Sequence, residues 1–246
     1  MNEDIFKTKT DLDPSEYKKL FGNPFWNEQG SQKARNLYLQ LSEKEKALML
    51  KKNYLEMVKK ARERNYNMAA DCLQWWLDGT GFTKNIDFHW LRKQREVIAA
   101  ENVNIERFEK DDDTKFGIFL KALEERKTKQ FTNYYDRQFT GGIFGELYYA
   151  SGTSILTSRC FFKVTNKGKD NYMLSGNIIH SWQDTYDWHK GANAYIPSFG
   201  NVKDSDALLV EKYCGAKTFQ MRGSWKQSFE KTFKFTSSGD LYLKLK

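Results

Sequence analysis

Cysteine, proline and histidine each occur only three times in 246 residues. Cys72, Cys160 and Cys214 stand far apart with no CxxC pair and no metal-ligand spacing, so neither a disulfide framework nor a zinc site is indicated. They are expected to be small buried residues. The scarcity of proline excludes a proline-rich linker, and no apolar run approaches the roughly 20 residues needed to span a bilayer. The opening MNEDIFKTKTDLDP lacks the basic-then-apolar order of a secretory leader, which leads to an expectation of synthesis in the cytoplasm and export without a signal peptide. GxxxxGK[ST], GxGxxG in a βαβ setting, GxSxG and HExxH are all absent, so nucleotide-binding, serine-hydrolase and zincin readings have no foothold.

What is present is the composition of a folded chain, with 39% hydrophobic, 29% charged and 15% aromatic residues. A net charge of +8 favours anionic partners: nucleic acid, phospholipid head groups, a phosphate-bearing substrate or an acidic inhibitor protein. Lysines interleave with glutamates, as in KKARER and ALEERKTK, which reads as solvated helix faces and disfavours nucleic acid as the partner.

The front of the chain is helical in pattern. Ala34, Leu37, Tyr38 and Leu41, then Leu48, Leu55, Val58 and Ala61, recur at helical spacing, and Ser42-Glu-Lys-Glu45 fits a capping box where a second helix begins. A third helix, from about Met68 to Asp78, gathers Ala69, Cys72, Leu73, Trp76 and Leu77 on its core side and ends at Gly79. Asp87 caps a further helix carrying Trp90, Leu91, Val97 and Ile98, and helix continues to Phe108 and again through Phe116, Leu120 and Leu123. The acidic run Asp111–Asp113 reads as a solvated loop, and His89 as a helix residue.

Past residue 130 glycines, threonines and aromatics predominate. FTNYYDRQFTGGIFGELYYASGTSILTSRCFFKVTN reads as strands and turns, NKGKDN as a polar turn, and YMLSGNIIHSW as the next strand. One helix interrupts, capped by Asp204 or Ser205, with Ala207, Leu208, Leu209 and Tyr213 apolar and Gly215 at its end. Alternation at Phe233 and Phe235, and at Leu241, Leu243 and Leu245, predicts a closing hairpin. The expected fold is α+β: a helical region, 1–129, then a β-rich region, 130–246, forming an antiparallel sheet or half-barrel with one inserted helix.

The candidate site lies in HSWQDTYDWHKG, residues 180–191. Period-two alternation puts Ile178, His180, Trp182 and Asp184 on one face of a strand and Ile179, Ser181 and Gln183 on the other. Asp-Thr-Tyr-Asp has little strand preference, so a bend is expected here that gathers Asp184, Asp187 and His189 around one point, with Tyr186 as a donor. Neighbouring carboxylates raise one another's proton affinity and invite a divalent cation such as Mg2+, and histidine exchanges protons near neutral pH. Asp184 and Asp187 are the candidate metal ligands, and all four residues the candidate catalytic set for phosphate-ester hydrolysis. A strand-ending turn whose aspartates cap backbone and whose tryptophans pack is the structural alternative.

SGNIIHSWQDTYDW resembles the active-site neighbourhood of the colicin M family, bacteriocins that cleave lipid II at its polyprenyl–pyrophosphate linkage. Asp184, Tyr186 and Asp187 match the family's Asp-x-Tyr-Asp. Where the family then carries a His-Arg pair, this chain has Asn193 and Ala194, and His189 is the nearest histidine. AADCLQWWLDGTGFTKNIDFHWLRK, YYASGTSILTS and VKDSDALLVEKYCGAKTF also resemble C-terminal domains of secreted bacterial effectors, including polymorphic and type VI-delivered toxins. The resemblance implies an antibacterial toxin acting in the target-cell periplasm or at its membrane. It further implies a lipid-linked envelope substrate or membrane surface as partner, and a protective immunity protein. A different class stays open: Trp182, Trp188, Trp225 and IFGELYY with the terminal lysines also suit a toxin that damages membranes or forms pores without covalent chemistry.

Overall fold

A capping box starts the first helix, α1 (Glu43–Glu63), as its sequence predicts: the Glu45 amide donates to Ser42 Oγ at 3.3 Å, and the Ser42 amide donates to the Glu45 carboxylate at 2.8 Å. The computed structural model describes residues 39–109, 117–124, 129–142, 145–196, 199–235 and 241–244. Most of the helix expected to carry Ala34, Leu37, Tyr38 and Leu41, the Asp111–Asp113 run and the 236–240 turn lie outside the described residues. The chain divides into two compact units, each assembled from two non-adjacent segments.

One unit joins the described residues up to Phe82 with Tyr186–Phe219. It holds α1, a second helix α2 (Asn67–Leu77), a short antiparallel pair and a helix following that pair. The buried stripe of α1 is Ala47, Leu50, Tyr54, Met57 and Val58. Leu55, which spacing puts on the apolar side, is exposed, because the stripe is centred one position over. In α2 the expected core set Ala69, Cys72, Leu73, Trp76 and Leu77 is buried. Gly79 follows with φ +65°, a left-handed conformation that only glycine adopts cheaply.

The other unit joins Thr83–Thr185 with the described residues from Gln220 onward. Its strands are β1 (Lys84–Asn85), β2 (Lys129–Thr140), β3 (Thr153–Gly168) and β4 (Asn171–Tyr186), the last crossing into the first unit by one residue. Downstream in the chain come β5 (Asn193–Ile196) and β6 (Gly200–Lys203) of the first unit, then β7 (Phe219–Phe235) and β8 (Leu241–Lys244). The main sheet runs β1–β7–β4–β3–β2 with β8 on β7, an open sheet. Its β2–β3, β3–β4 and β7–β8 pairs are antiparallel as expected, while the short β1 pairs with β7 in parallel, so the sheet is mixed. The α+β class holds.

Helices α3 (Phe88–Leu91), α4 (Arg95–Glu109), α5 (Ile118–Glu124) and α6 (Glu146–Ala150) belong to this unit, and α7 (Asp204–Cys214) to the other. Asp87 caps α3 by accepting from the His89 amide at 2.9 Å, but the expected continuous helix through Ile98 is two helices, broken after Leu91. The stretch read as strands and turns contains α6, where Leu147 and Ala150 are buried and Trp90 Nε1 donates to the Glu146 carboxylate at 2.9 Å. Tertiary contact overrides the strand propensity of its tyrosines. The core combines Phe108, Phe119 and Leu123 from the helices with Cys160, Phe162, Val164, Leu174 and Ile178 from β3 and β4. Burial pushes the Cys160 thiol up to about 12, which makes it an inert core group and not a nucleophile.

The left-handed position at Gly79 gives a direct test. A Cβ there would lie 1.9 Å from the Gly215 carbonyl oxygen, whereas Gly168, also at positive φ, has open space around it. Gly79→Ala is expected to lower unfolding free energy by about 3 kcal/mol or more, and Gly168→Ala by only about 1–2 kcal/mol. Urea denaturation of the two variants measures the difference.

Candidate functional site

Alternation decides where the candidate residues go. β4 runs without a bend through Tyr186, so the turn expected just beyond Trp182 is absent. Ile178, His180, Trp182 and Asp184 are buried and Ile179, Ser181 and Gln183 exposed or nearly so, as period two requires. The same in–out rhythm continues past the strand: Tyr186 is buried, Asp187 exposed, Trp188 half-buried and His189 exposed.

Two of the four candidates meet at the surface. His189 Nε2 lies 3.6 Å from Asp187 Oδ2, with the histidine side chain 75% and the aspartate side chain 35% exposed. The turn behind them is anchored from within. The His189 amide donates to the Asp204 carboxylate at 2.7 Å, and the Ala192 amide donates to the His189 carbonyl at 3.0 Å. Asp204 or Ser205 was expected to cap α7; Lys203 holds that position, and the Asp204 side chain serves the His189 turn instead. Trp188 packs with Tyr54 and Trp76, at ring-centroid distances of 5.9 and 5.3 Å, and edge-on to Tyr186 at 5.9 Å.

The other two candidates face inward. Asp184 accepts the Gly152 amide at 2.8 Å on Oδ2 and its neighbour Thr185 amide at 2.7 Å on Oδ1, which is the backbone-capping arrangement. Tyr186 stacks on Phe219 at 5.1 Å, and burial pushes its hydroxyl well above the ordinary tyrosine range, so the phenol stays neutral. For a divalent cation, Asp187 is the carboxylate with a water-accessible edge, whereas both oxygens of Asp184 already accept amides. Among the described residues, no three His, Cys, Asp or Glu side chains gather in a group that could hold a metal ion.

A second constellation was not found from the sequence. Ser158 Oγ lies 2.8 Å from His180 Nδ1, Asn104 Nδ2 donates to Ser158 Oγ at 3.0 Å, His180 Nε2 is 3.7 Å from the Glu101 carboxylate, and Arg92 is 3.6 Å from the same carboxylate. Trp225 stacks on the imidazole at 5.1 Å. The connectivity is that of a nucleophile–base–carboxylate relay. Ser158 and His180 are fully buried, however, so no substrate reaches the hydroxyl, and the network is structural. The legible signal was a histidine on the apolar parity of β4. Burial lowers His180 to about 4 and raises the Glu101 carboxyl, the latter partly offset by the Arg92 cation.

No protein-family model and no curated protein matches the chain. Among solved structures, PaeM, a colicin M-like bacteriocin produced by Pseudomonas aeruginosa, aligns with 66% of this chain and 50% of its own, at 14% identity and a TM-score of 0.34. The chain thus spans about half the length of that bacteriocin and resembles it only loosely.

The buried histidine sets an acid response. Because its folded value lies below the ordinary 6.5, the unfolded chain binds a proton first as pH falls from 6.5 toward 4, and stability drops over that window. The slope contributed by one such proton approaches ~1.4 kcal/mol per pH unit. Glu101, held above its ordinary value, has the opposite sign, since the folded chain takes up its proton first. His180→Gln is expected to flatten the loss of stability between these two pH values, measured by urea unfolding at a series of pH; an unchanged slope would contradict the assignment.

Proposed function

We propose that this chain is an antibacterial, bacteriocin-like toxin that hydrolyses a lipid-linked phosphate of the target cell's envelope, with lipid II the first substrate to test. The observation supporting it is the outward Asp187–His189 pair, fixed by a buried aromatic anchor and by the Asp204 carboxylate, within the Asp184-x-Tyr186-Asp187 string. An exposed imidazole beside a carboxylate suits proton transfer at a phosphate ester: His189 takes a proton from attacking water or gives one to the leaving oxygen, and Asp187 orients the ring. Asp184 and Tyr186 act as positioning residues in this reading, one through backbone amides and the other through packing. Asp187 is the residue that would hold Mg2+, and the chemistry the ion would supply is an offset of charge on phosphorus.

The net charge of +8 complements both a pyrophosphate-bearing substrate and an acidic immunity protein. Action in the target-cell periplasm or at its membrane belongs to the same proposal.

Purified protein incubated with lipid II and Mg2+ is expected to release pyrophosphoryl-disaccharide. Asp187→Asn or His189→Gln should slow release by about 100-fold or more, and Tyr186→Phe by less than about threefold. Undiminished turnover in Asp187→Asn rejects the assignment. Killing without product, accompanied by dye release from protein-free liposomes, rejects the enzymatic reading in favour of membrane damage.

A further inference from the structure

We propose that the solvent face of the sheet formed by β2, β3, β4 and β7 docks the protein onto an anionic phospholipid bilayer. The inference does not depend on the chemistry of the Asp187–His189 pair. Tyr134, Arg159 and Ile179 stand directly opposite one another across β2, β3 and β4, and Phe161 follows Arg159 two residues along β3 on the same side. Tyr134 is 57%, Phe161 39% and Ile179 40% exposed. Single exposed apolar residues are ordinary on a sheet, but three that flank one guanidinium on adjoining strands form a patch.

Charge on this face has a sign. Lys163, Arg222 and Lys226 are exposed on it besides Arg159, against Asp136 and Glu230. The rest is hydroxyl and amide, tied across strands where Gln220 donates to Thr185 at 2.8 Å and Ser228 to Asn177 at 2.9 Å. A cation surrounded by tyrosine, phenylalanine and isoleucine matches the layered chemistry of a bilayer surface, with lipid phosphate for the guanidinium and the acyl boundary for the apolar groups. Single-stranded nucleic acid fits less well. Stacking of successive bases wants a run of aromatic faces, whereas the aliphatic Ile179 takes the third apolar position here. Among the described residues no helix is long and apolar enough to cross a membrane.

Co-sedimentation of the full chain with phosphatidylcholine vesicles, with and without phosphatidylglycerol, tests the proposal. Binding is expected to be at least about tenfold stronger to the anionic vesicles, to weaken with salt, and to leave trapped dye inside. Arg159→Glu combined with Lys226→Glu should weaken it by about 20-fold or more, and Tyr134→Ser combined with Ile179→Ser by about fivefold or more. All these positions are exposed, so an unchanged far-UV circular dichroism spectrum certifies folding. Asp187→Asn should bind vesicles like the parent, so loss of hydrolysis and loss of docking are read separately. Equal binding to both vesicle types, or undiminished binding by the charge-reversed variant, overturns the proposal. So does an oligothymidylate that binds through Arg159 while anionic vesicles do not.

Discussion

The in–out alternation of β4 is the constraint on which the candidate site depends. A strand cannot choose the face of each side chain independently; once Ile178, His180 and Trp182 are committed to the core, Asp184 and Tyr186 follow them, and the residues between face water. The rhythm persists beyond the last strand residue because Trp188 is drawn inward against Tyr54 and Trp76. Trp76 is itself fully buried and donates its indole N–H to Glu211 at 2.8 Å, so the aromatic anchor is fixed in orientation as well as in depth. Asp187 and His189 are left as neighbours on the wet side. Their pairing is a consequence of packing underneath them, not of any attraction strong enough to organise an exposed segment, since a surface ion pair contributes little.

The buried network of the other unit obeys a different logic. Glu101 and Asn104 stand one helical turn apart on α4, where neighbouring turns present side chains to the same surface, and together they engage Ser158 on β3 and His180 on β4. Taking a carboxylate and an imidazole out of water is costly, and the 3.6–3.7 Å separations of Arg92 and His180 from Glu101 repay only part of that cost. What the arrangement supplies is directionality. An apolar surface would let α4 slide along the sheet, whereas hydrogen bonds from Asn104 to the Leu156 carbonyl and to Ser158 accept one register.

Much of this was legible because the determinants are local. The Ser42–Glu45 box, the left-handed glycines closing α2 and α7, the core face of α2 and the parity of β4 each follow from residue type and spacing within about one turn or one strand. What could not be read depends on partners distant in sequence. Glu146–Ala150 is helical with Trp90 held to Glu146, and nothing within GELYYA announces that tryptophan. Asp184 looked like a chemical group because its amide partner at Gly152 is 32 positions away. Glu101 and His180 are unremarkable in their own segments and become a pair only when α4 lies on the sheet. The expected bend failed for the opposite reason: turn preference at Asp-Thr-Tyr-Asp is weak, and the ladder that β4 shares with β3 outweighs it.

Alternation also changes how the Asp-x-Tyr-Asp string is read. Its members do not act as one chemical set, since Asp184 and Tyr186 lie on the buried parity and Asp187 on the exposed one. Asn193 opens β5, and its register partner on β6 is Lys203, an exposed lysine that immediately precedes Asp204. Because Asp204 holds the His189 amide, that lysine is tied through the adjacent residue to the turn bearing the exposed imidazole.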